Sequence, residues 1–132
     1  MKPTPEEQRG LRVYVAPCGV GLGHVTRCDL VAKELSKAGC NLVFSSYLDG
    51  LVYLKRTEWR TLVSPPMSFG TREDGTIDTK LTATQNGVTV GIWKFLRQVI
   101  SETRQILRYN PAIVMSDTRV STILAGYLLR KP

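Results

Sequence analysis

One histidine, His24, stands among 132 residues, and the three cysteines, Cys18, Cys28 and Cys40, show no CxxC spacing. An odd set of thiols without further histidines argues against a disulfide framework and a conventional zinc site. No metal is therefore expected, and the cysteines read as structural. Cys18 is the exception to watch, because the start of a helix can activate an exposed thiolate. No apolar run approaches the about 18 residues that read as a transmembrane helix, and the N-terminus, with Lys2, Pro3, Glu6, Glu7 and Arg9, lacks the apolar middle of a signal peptide. A cytoplasmic protein is the expectation. No G-K-S/T completes a Walker turn, and no repeat, heptad pattern or low-complexity tract occurs. Acidic residues are the scarcer charge, 11 against 18 basic ones, which leaves a formal net charge of +7. That excess favours anionic partners, among them phosphorylated metabolites, lipid phosphates and anionic membrane surfaces. Nucleic acid is disfavoured, because the basic residues are spread along the chain rather than interleaved with aromatics.

What is present fits one globular α/β domain. Hydrophobic residues make up 42% and charged ones 22%, and a chain this long buries roughly two-thirds of its unfolded surface around one core. Residues 1–10 read as a tail and 11–132 as the domain. The apolar run Leu11 to Ala16 reads as a strand, followed by Cys18-Gly19-Val20-Gly21-Leu22-Gly23-His24-Val25-Thr26-Arg27 and then a helix over His24 to Ala38. Val31, Leu35 and Ala38 are its expected apolar positions, and Gly39 its C-cap. Asn41 to Ser46 reads as the second strand of a βαβ unit. A glycine-rich turn between strand and helix is where α/β proteins bind ligands, since the first helical N–H groups are unpaired and glycine lets a ligand approach the backbone.

Beyond it, Tyr47 to Lys55 suggests a short helix and Trp59 to Val63 a strand, stopped by Ser64-Pro65-Pro66. Met67 to Gly87 reads as an exposed loop. Val88 to Arg108 reads as a long helix with Ile92, Trp93, Leu96, Val99, Ile100, Thr103, Ile106 and Leu107 facing the sheet. Its Lys94, Arg97, Arg104 and Arg108 form either a solvated basic face or a membrane-surface contact. Asn110-Pro111 ends it, Ala112 to Ser116 is a strand, and Arg119 to Leu129 is a helix packed through Val120, Ile123, Leu124, Tyr127 and Leu128. Ala125-Gly126 permits close approach, and Ser116, Asp117 or Thr118 is available as its cap. The alternation predicts a Rossmann-like three-layer α/β/α domain with a mostly parallel sheet. Its end at Arg130-Lys131-Pro132, where another strand would follow, suggests a fragment or an unusually short domain.

The G-x-G-x-G-H turn departs from the dinucleotide fingerprint G-x-G-x-x-G, and Asp49, a candidate ribose-binding acid, falls beyond the end of the second strand. NAD(P) binding stays an alternative, as does a nonenzymatic module that binds an anion or a protein. His24 can take a proton from an acceptor hydroxyl if an acid holds its tautomer. Asp117 is the candidate, because both residues occupy strand-end loops that converge at one mouth of a parallel sheet. The competing readings are a helix-packing His24 and a merely capping Asp117.

The glycine turn with its histidine, the following Thr26-Arg27 and the distant Ser116-Asp117 strand end resemble the N-terminal half of a GT-B glycosyltransferase, especially the family 28 group that includes MurG. The resemblance spans Leu11 to Pro132. It implies an acceptor-binding half that requires a C-terminal donor-binding domain or subunit, and a hexosyltransferase reaction that this half alone does not perform. It also implies a nucleotide-sugar donor such as a UDP-sugar, with no further cofactor, and a sugar acceptor that is anionic or lipid-linked. The protein would then be cytoplasmic, with peripheral contact at the membrane. On that resemblance His24 acts as the base or orients the acceptor, Asp117 is its supporting acid, Gly21 and Gly23 are the turn near the donor and acceptor phosphates, and Thr26 and Arg27 are the substrate contacts.

Overall fold

A computed structural model describes residues 10–67 and 88–132. Nearly all of the expected tail and of the Met67 to Gly87 loop lies outside the described residues. Among the described residues four strands, β1 (Arg12–Pro17), β2 (Asn41–Ser46), β3 (Thr61–Val63) and β4 (Ile113–Asp117), alternate with α1 (Gly23–Lys37), α2 (Leu48–Leu54), α3 (Val88–Tyr109) and α4 (Val120–Leu128). The sheet runs β3-β2-β1-β4 and every neighbouring pair is parallel. The three-layer α/β/α architecture with a parallel sheet is as expected, and the element boundaries agree with the sequence to within a few residues. Connections leave β1 toward β2 on one side, while β4 sits on the other. The opening between the carboxyl ends of β1 and β4 is therefore the topological switch point.

Strand alternation distributes the core to both faces. Val13, Val15 and Phe44 meet Val25, Cys28, Ala32 and Leu54 of α1 and α2 on one side. Tyr14, Ala16 and Val43 meet Ile106 and Ala125 of α3 and α4 on the other. Burial pushes the Cys28 thiol up to about 11, with Asp117 adding to the effect, so at neutral pH it is an uncharged packing group.

Three helix faces differ from their sequence pattern. α1 buries Val25, Cys28, Asp29 and Ala32, with Leu35 packed beside them, whereas Val31 and Ala38 are exposed. The displaced phase follows from Asp29, whose carboxylate accepts hydrogen bonds from Trp59 Nε1 (2.6 Å), Tyr53 Oη (2.8 Å) and Lys33 Nζ (2.9 Å). This turns an acidic position toward α2 and the approach to β3. α3 packs through Gln98, Val99, Glu102 and Ile106, while Ile92, Trp93, Leu96, Ile100 and Leu107 are exposed. α4 is reversed outright. Ser121, Thr122, Ala125 and Gly126 face inward, and Val120, Ile123, Leu124, Tyr127 and Leu128 face water. Hydroxyls fit this inner face because α3 presents polar groups to it: Ser121 donates to Gln98 Oε1 (2.6 Å) and Thr122 to Glu102 Oε2 (3.1 Å). Gly126 then brings the helix close to β4, where a β-carbon would rest 3.6 Å from the Val114 side chain.

The same inner layer holds a buried polar hub. Glu102 accepts from Tyr14 Oη (2.7 Å), Ser45 Oγ (2.8 Å), Ser64 Oγ (2.8 Å) and Arg119 Nη2 (2.6 Å), in addition to Thr122. These donors lie on β1, on β2, just beyond β3, at the start of α4 and within it, so one carboxylate ties the ends of most elements of this layer together. Polar groups this deep persist only when satisfied, and here all but two of the buried side-chain nitrogen and oxygen atoms among the described residues, Ser46 Oγ and Arg119 Nε, have partners.

Asp29 yields a pH-dependent expectation. Burial tends to raise its pKa, but the hydrogen bonds from Trp59, Lys33 and Tyr53 prevail and hold it below the ordinary carboxylate value. A carboxyl depressed in the folded state contributes stability that is fully present above the unfolded value of about 3.9, and loses it as pH falls through the folded pKa. Urea denaturation of Asp29→Asn at neutral pH should show lower stability than wild type, with the gap closing as pH drops below about 4. A gap that persists undiminished into strong acid would mean that the ionised form contributes nothing.

Candidate functional site

All four strands point their carboxyl ends to one edge, and the candidate residues gather where β1 and β4 meet. Pro17 and Asp117 are register partners at that edge, and Cys18 N–H donates to the Asp117 carbonyl at 2.9 Å. The chain leaving β1 passes through Gly19 to Leu22 before α1 begins. Gly19 is required by packing, since a β-carbon there would collide with the Tyr47 main-chain carbonyl. Gly21 is required by conformation, with φ at +72°. A β-carbon at Gly21 or Gly23 would meet nothing within 4 Å, so space lies open beside both. Cys18, by contrast, is buried with Sγ 3.6 Å from Tyr47 Oη, well before the first turn of α1. The idea of a thiolate exposed at the helix start is thereby corrected.

His24 and Asp117 come together across 93 residues of sequence, with Nδ1 at 3.1 Å from Oδ1. Their side chains are 32% and 18% exposed, half-sheltered at the mouth. Asp117 does not cap α4: Arg119 occupies the N-cap position without a side-chain cap bond. Arg27, one turn beyond His24, grips the same carboxylate with Nε at 3.0 Å and Nη2 at 2.7 Å from Oδ2. Thr118 Oγ1 also donates to Asp117 Oδ1 at 3.0 Å, and lies 3.4 Å from His24 Nδ1. Burial acts to raise the Asp117 pKa, yet the hydrogen bonds from Arg27, His24 and Thr118 hold it below the usual carboxylate range. An ionised carboxylate only accepts, so Nδ1 carries the proton and Nε2 is left with the lone pair. Arg27 Nη2, 3.3 Å from Nδ1, is placed there by the shared carboxylate rather than by a bond to the ring.

The other expected contacts have local uses. Thr26 Oγ1 turns back onto the Leu22 and Gly23 carbonyls at 2.9 and 3.2 Å. Asp49 Oδ2 accepts the Gly21 N–H at 3.0 Å, pinning the glycine turn to the first turn of α2. Among the described residues no three His, Cys, Asp or Glu side chains come together as metal ligands, and no helix is long and apolar enough to cross a membrane. Sequence reasoning passed over Thr118 as a site residue, and Glu102 and Arg119 beneath it. The available signal was an acid at position 102 between Val99 and Ile106, on the stripe that α3 buries.

The parallel sheet with its glycine turn at the switch point is a Rossmann-like three-layer α/β/α domain, consistent with the N-terminal half of a GT-B fold. Solved structures share that fold at low identity. MurG of Acinetobacter baumannii superposes with a TM-score of 0.67 over 92% of this chain and 34% of its own, at 20% identity. The Streptomyces glycosyltransferase SsfS6 does so with the same TM-score over 92% and 38%, at 16% identity. Two uncharacterized glycosyltransferases of Methanosarcina mazei are 27% and 28% identical over 128 and 125 residues, and one of Methanosarcina acetivorans is 25% identical over 124. The chain spans 31% of the length of each of these three relatives. No family model matches it.

Proposed function

We propose that the chain is the acceptor-binding N-terminal half of a family 28-type glycosyltransferase, moving a sugar from a nucleotide-diphosphate donor such as a UDP-sugar to an acceptor hydroxyl. The observation that carries this reading is the 3.1 Å His24 Nδ1 to Asp117 Oδ1 contact at the switch point, which leaves Nε2 as the basic nitrogen of a partly exposed imidazole. In this mechanism Nε2 takes the acceptor's proton as the acceptor oxygen bonds to the anomeric carbon. The bond from that carbon to the diphosphate breaks, and the nucleoside diphosphate leaves with the electron pair. Asp117 holds the tautomer and offsets the charge that develops on the ring. The turn at Gly21 and Gly23 opens the positive end of α1 to phosphate oxygens. Arg27 and Thr26 stand beside it, Arg27 supplying positive charge toward an anionic acceptor.

A C-terminal domain or subunit binds the donor in this scheme. The exposed face of α3, where Trp93, Ile92, Leu96 and Ile100 alternate with Arg97, Arg104 and Arg108, supports a cytoplasmic protein that rests against anionic lipid and takes a lipid-linked acceptor. The test is transfer of radiolabel from a panel of UDP-sugars to the hydroxyls of a lipid-linked sugar acceptor in anionic vesicles, by this chain with and without a donor-binding half. Transfer that needs both halves is expected. Absence of transfer with both halves together would remove the proposal.

A further inference from the structure

Between Asp117 and the first residue of α4 the backbone passes through Thr118 at φ +60°, in the left-handed region that a β-branched residue adopts only under constraint. The constraint is on the next residue. Arg119, 2% exposed, has its carbonyl held by Ser116 Oγ (3.0 Å) and by the N–H groups of Thr122 and Ile123 (3.2 Å each). Its side chain dives beneath the strand ends. Nη1 donates to the Ser45 carbonyl at 2.7 Å, and Nη2 to Ser64 Oγ at 2.8 Å and Glu102 Oε1 at 2.6 Å, with the guanidinium 5.2 Å from the Tyr47 ring centre. The Glu102 side chain is wholly buried and is itself fixed by Tyr14, Ser45, Ser64 and Thr122.

We propose that the Arg119–Glu102 pair is the positioning device of the His24–Asp117 dyad. By clamping residue 119 under β2 and the end of β3, it holds the Thr118 turn, and with it the Asp117 carboxylate, in the setting that keeps the proton on His24 Nδ1. The inference rests on the reading of His24 as the base. A buried ion pair is a poor choice for stability alone, because apolar side chains of similar volume usually do as well. The planar fork of an arginine, in contrast, fixes direction as well as distance. Here its two terminal nitrogens reach three separate elements, α3, β2 and the segment after β3. The clamp acts at one remove from the ring: Arg119 and Glu102 are hydrogen-bonded to Ser45, Ser64 and each other rather than to His24, and the 117–118 main chain links Arg119 to the dyad.

Because the chain has a single imidazole, ¹⁵N-edited NMR of uniformly labelled protein reads its tautomer without assignment. Wild type should show the Nδ1–H form with an unprotonated Nε2. Glu102→Gln keeps the shape of the carboxylate and removes its charge. Arg119→Lys keeps the ion pair with Glu102 but cannot reach Ser45 and Ser64 together. In both variants the Nδ1–H signature should give way to the Nε2–H form that free histidine prefers, with near-UV circular dichroism unchanged. A folded variant of either kind that retains the Nδ1–H signature overturns the inference. So does loss of cooperative folding in both, which would make the pair structural only. An Nε2–H tautomer in wild type would instead remove the dyad on which the proposal stands.

Discussion

Replacing His24 by Gln lowers kcat for sugar transfer in the assembled two-domain enzyme by about 10²- to 10⁴-fold, the usual contribution of a positioned general base. The loss falls on kcat rather than KM, because the proton moves in the transition state and not on binding. Folding should be spared. The side chain is one-third exposed and contributes no core packing, so the urea midpoint of the isolated chain moves little. Steady-state kinetics beside a denaturation curve separates the two quantities. A variant with wild-type kcat would assign the imidazole to packing and leave the acceptor without a base on this half of the enzyme.

Glu102→Leu destabilises the chain by about 3 to 5 kcal/mol, the cost of leaving a buried guanidinium without its counter-charge. Native domains have about 5 to 15 kcal/mol in total, so the variant unfolds at a much lower urea concentration than wild type. The double replacement Glu102→Leu with Arg119→Met should recover a good part of the loss, since it removes both charges. Urea denaturation of the two single variants and the double gives the coupling directly. Additive losses would mean that the carboxylate is worth only its hydrogen bonds from Tyr14, Ser45, Ser64 and Thr122.

The sheet and its order of elements were legible because their signals are local. Apolar runs bounded by Gly39, Pro65 and Pro111 mark strand and helix limits, and a glycine turn after the first strand marks the mouth. The pairing of His24 with Asp117 followed from topology, which brings the ends of β1 and β4 side by side. Helix orientation was less legible, because periodicity reports where apolar residues lie and not which stripe the sheet will take. In α4 the hydroxyls of Ser121 and Thr122 are drawn inward by Gln98 and Glu102, and that information sits on another helix. Asp29 shifts α1 in the same way, through partners 24 and 30 residues away. Arg119 could not be read as a buried group at all. Its four hydrogen-bonding partners on other elements are the Ser45 carbonyl and hydroxyl, Ser64 and Glu102, and no pattern within its own helix points to them.

The outward face of α4 bears on how the folded state responds to temperature. The heat capacity of unfolding comes from apolar surface newly wetted when the chain opens. Tyr127, 79% exposed, and its neighbours Val120, Ile123 and Leu128 are already wetted in the folded state and add little to that change. The stability curve is accordingly flatter than it would be if α4 turned this apolar face inward.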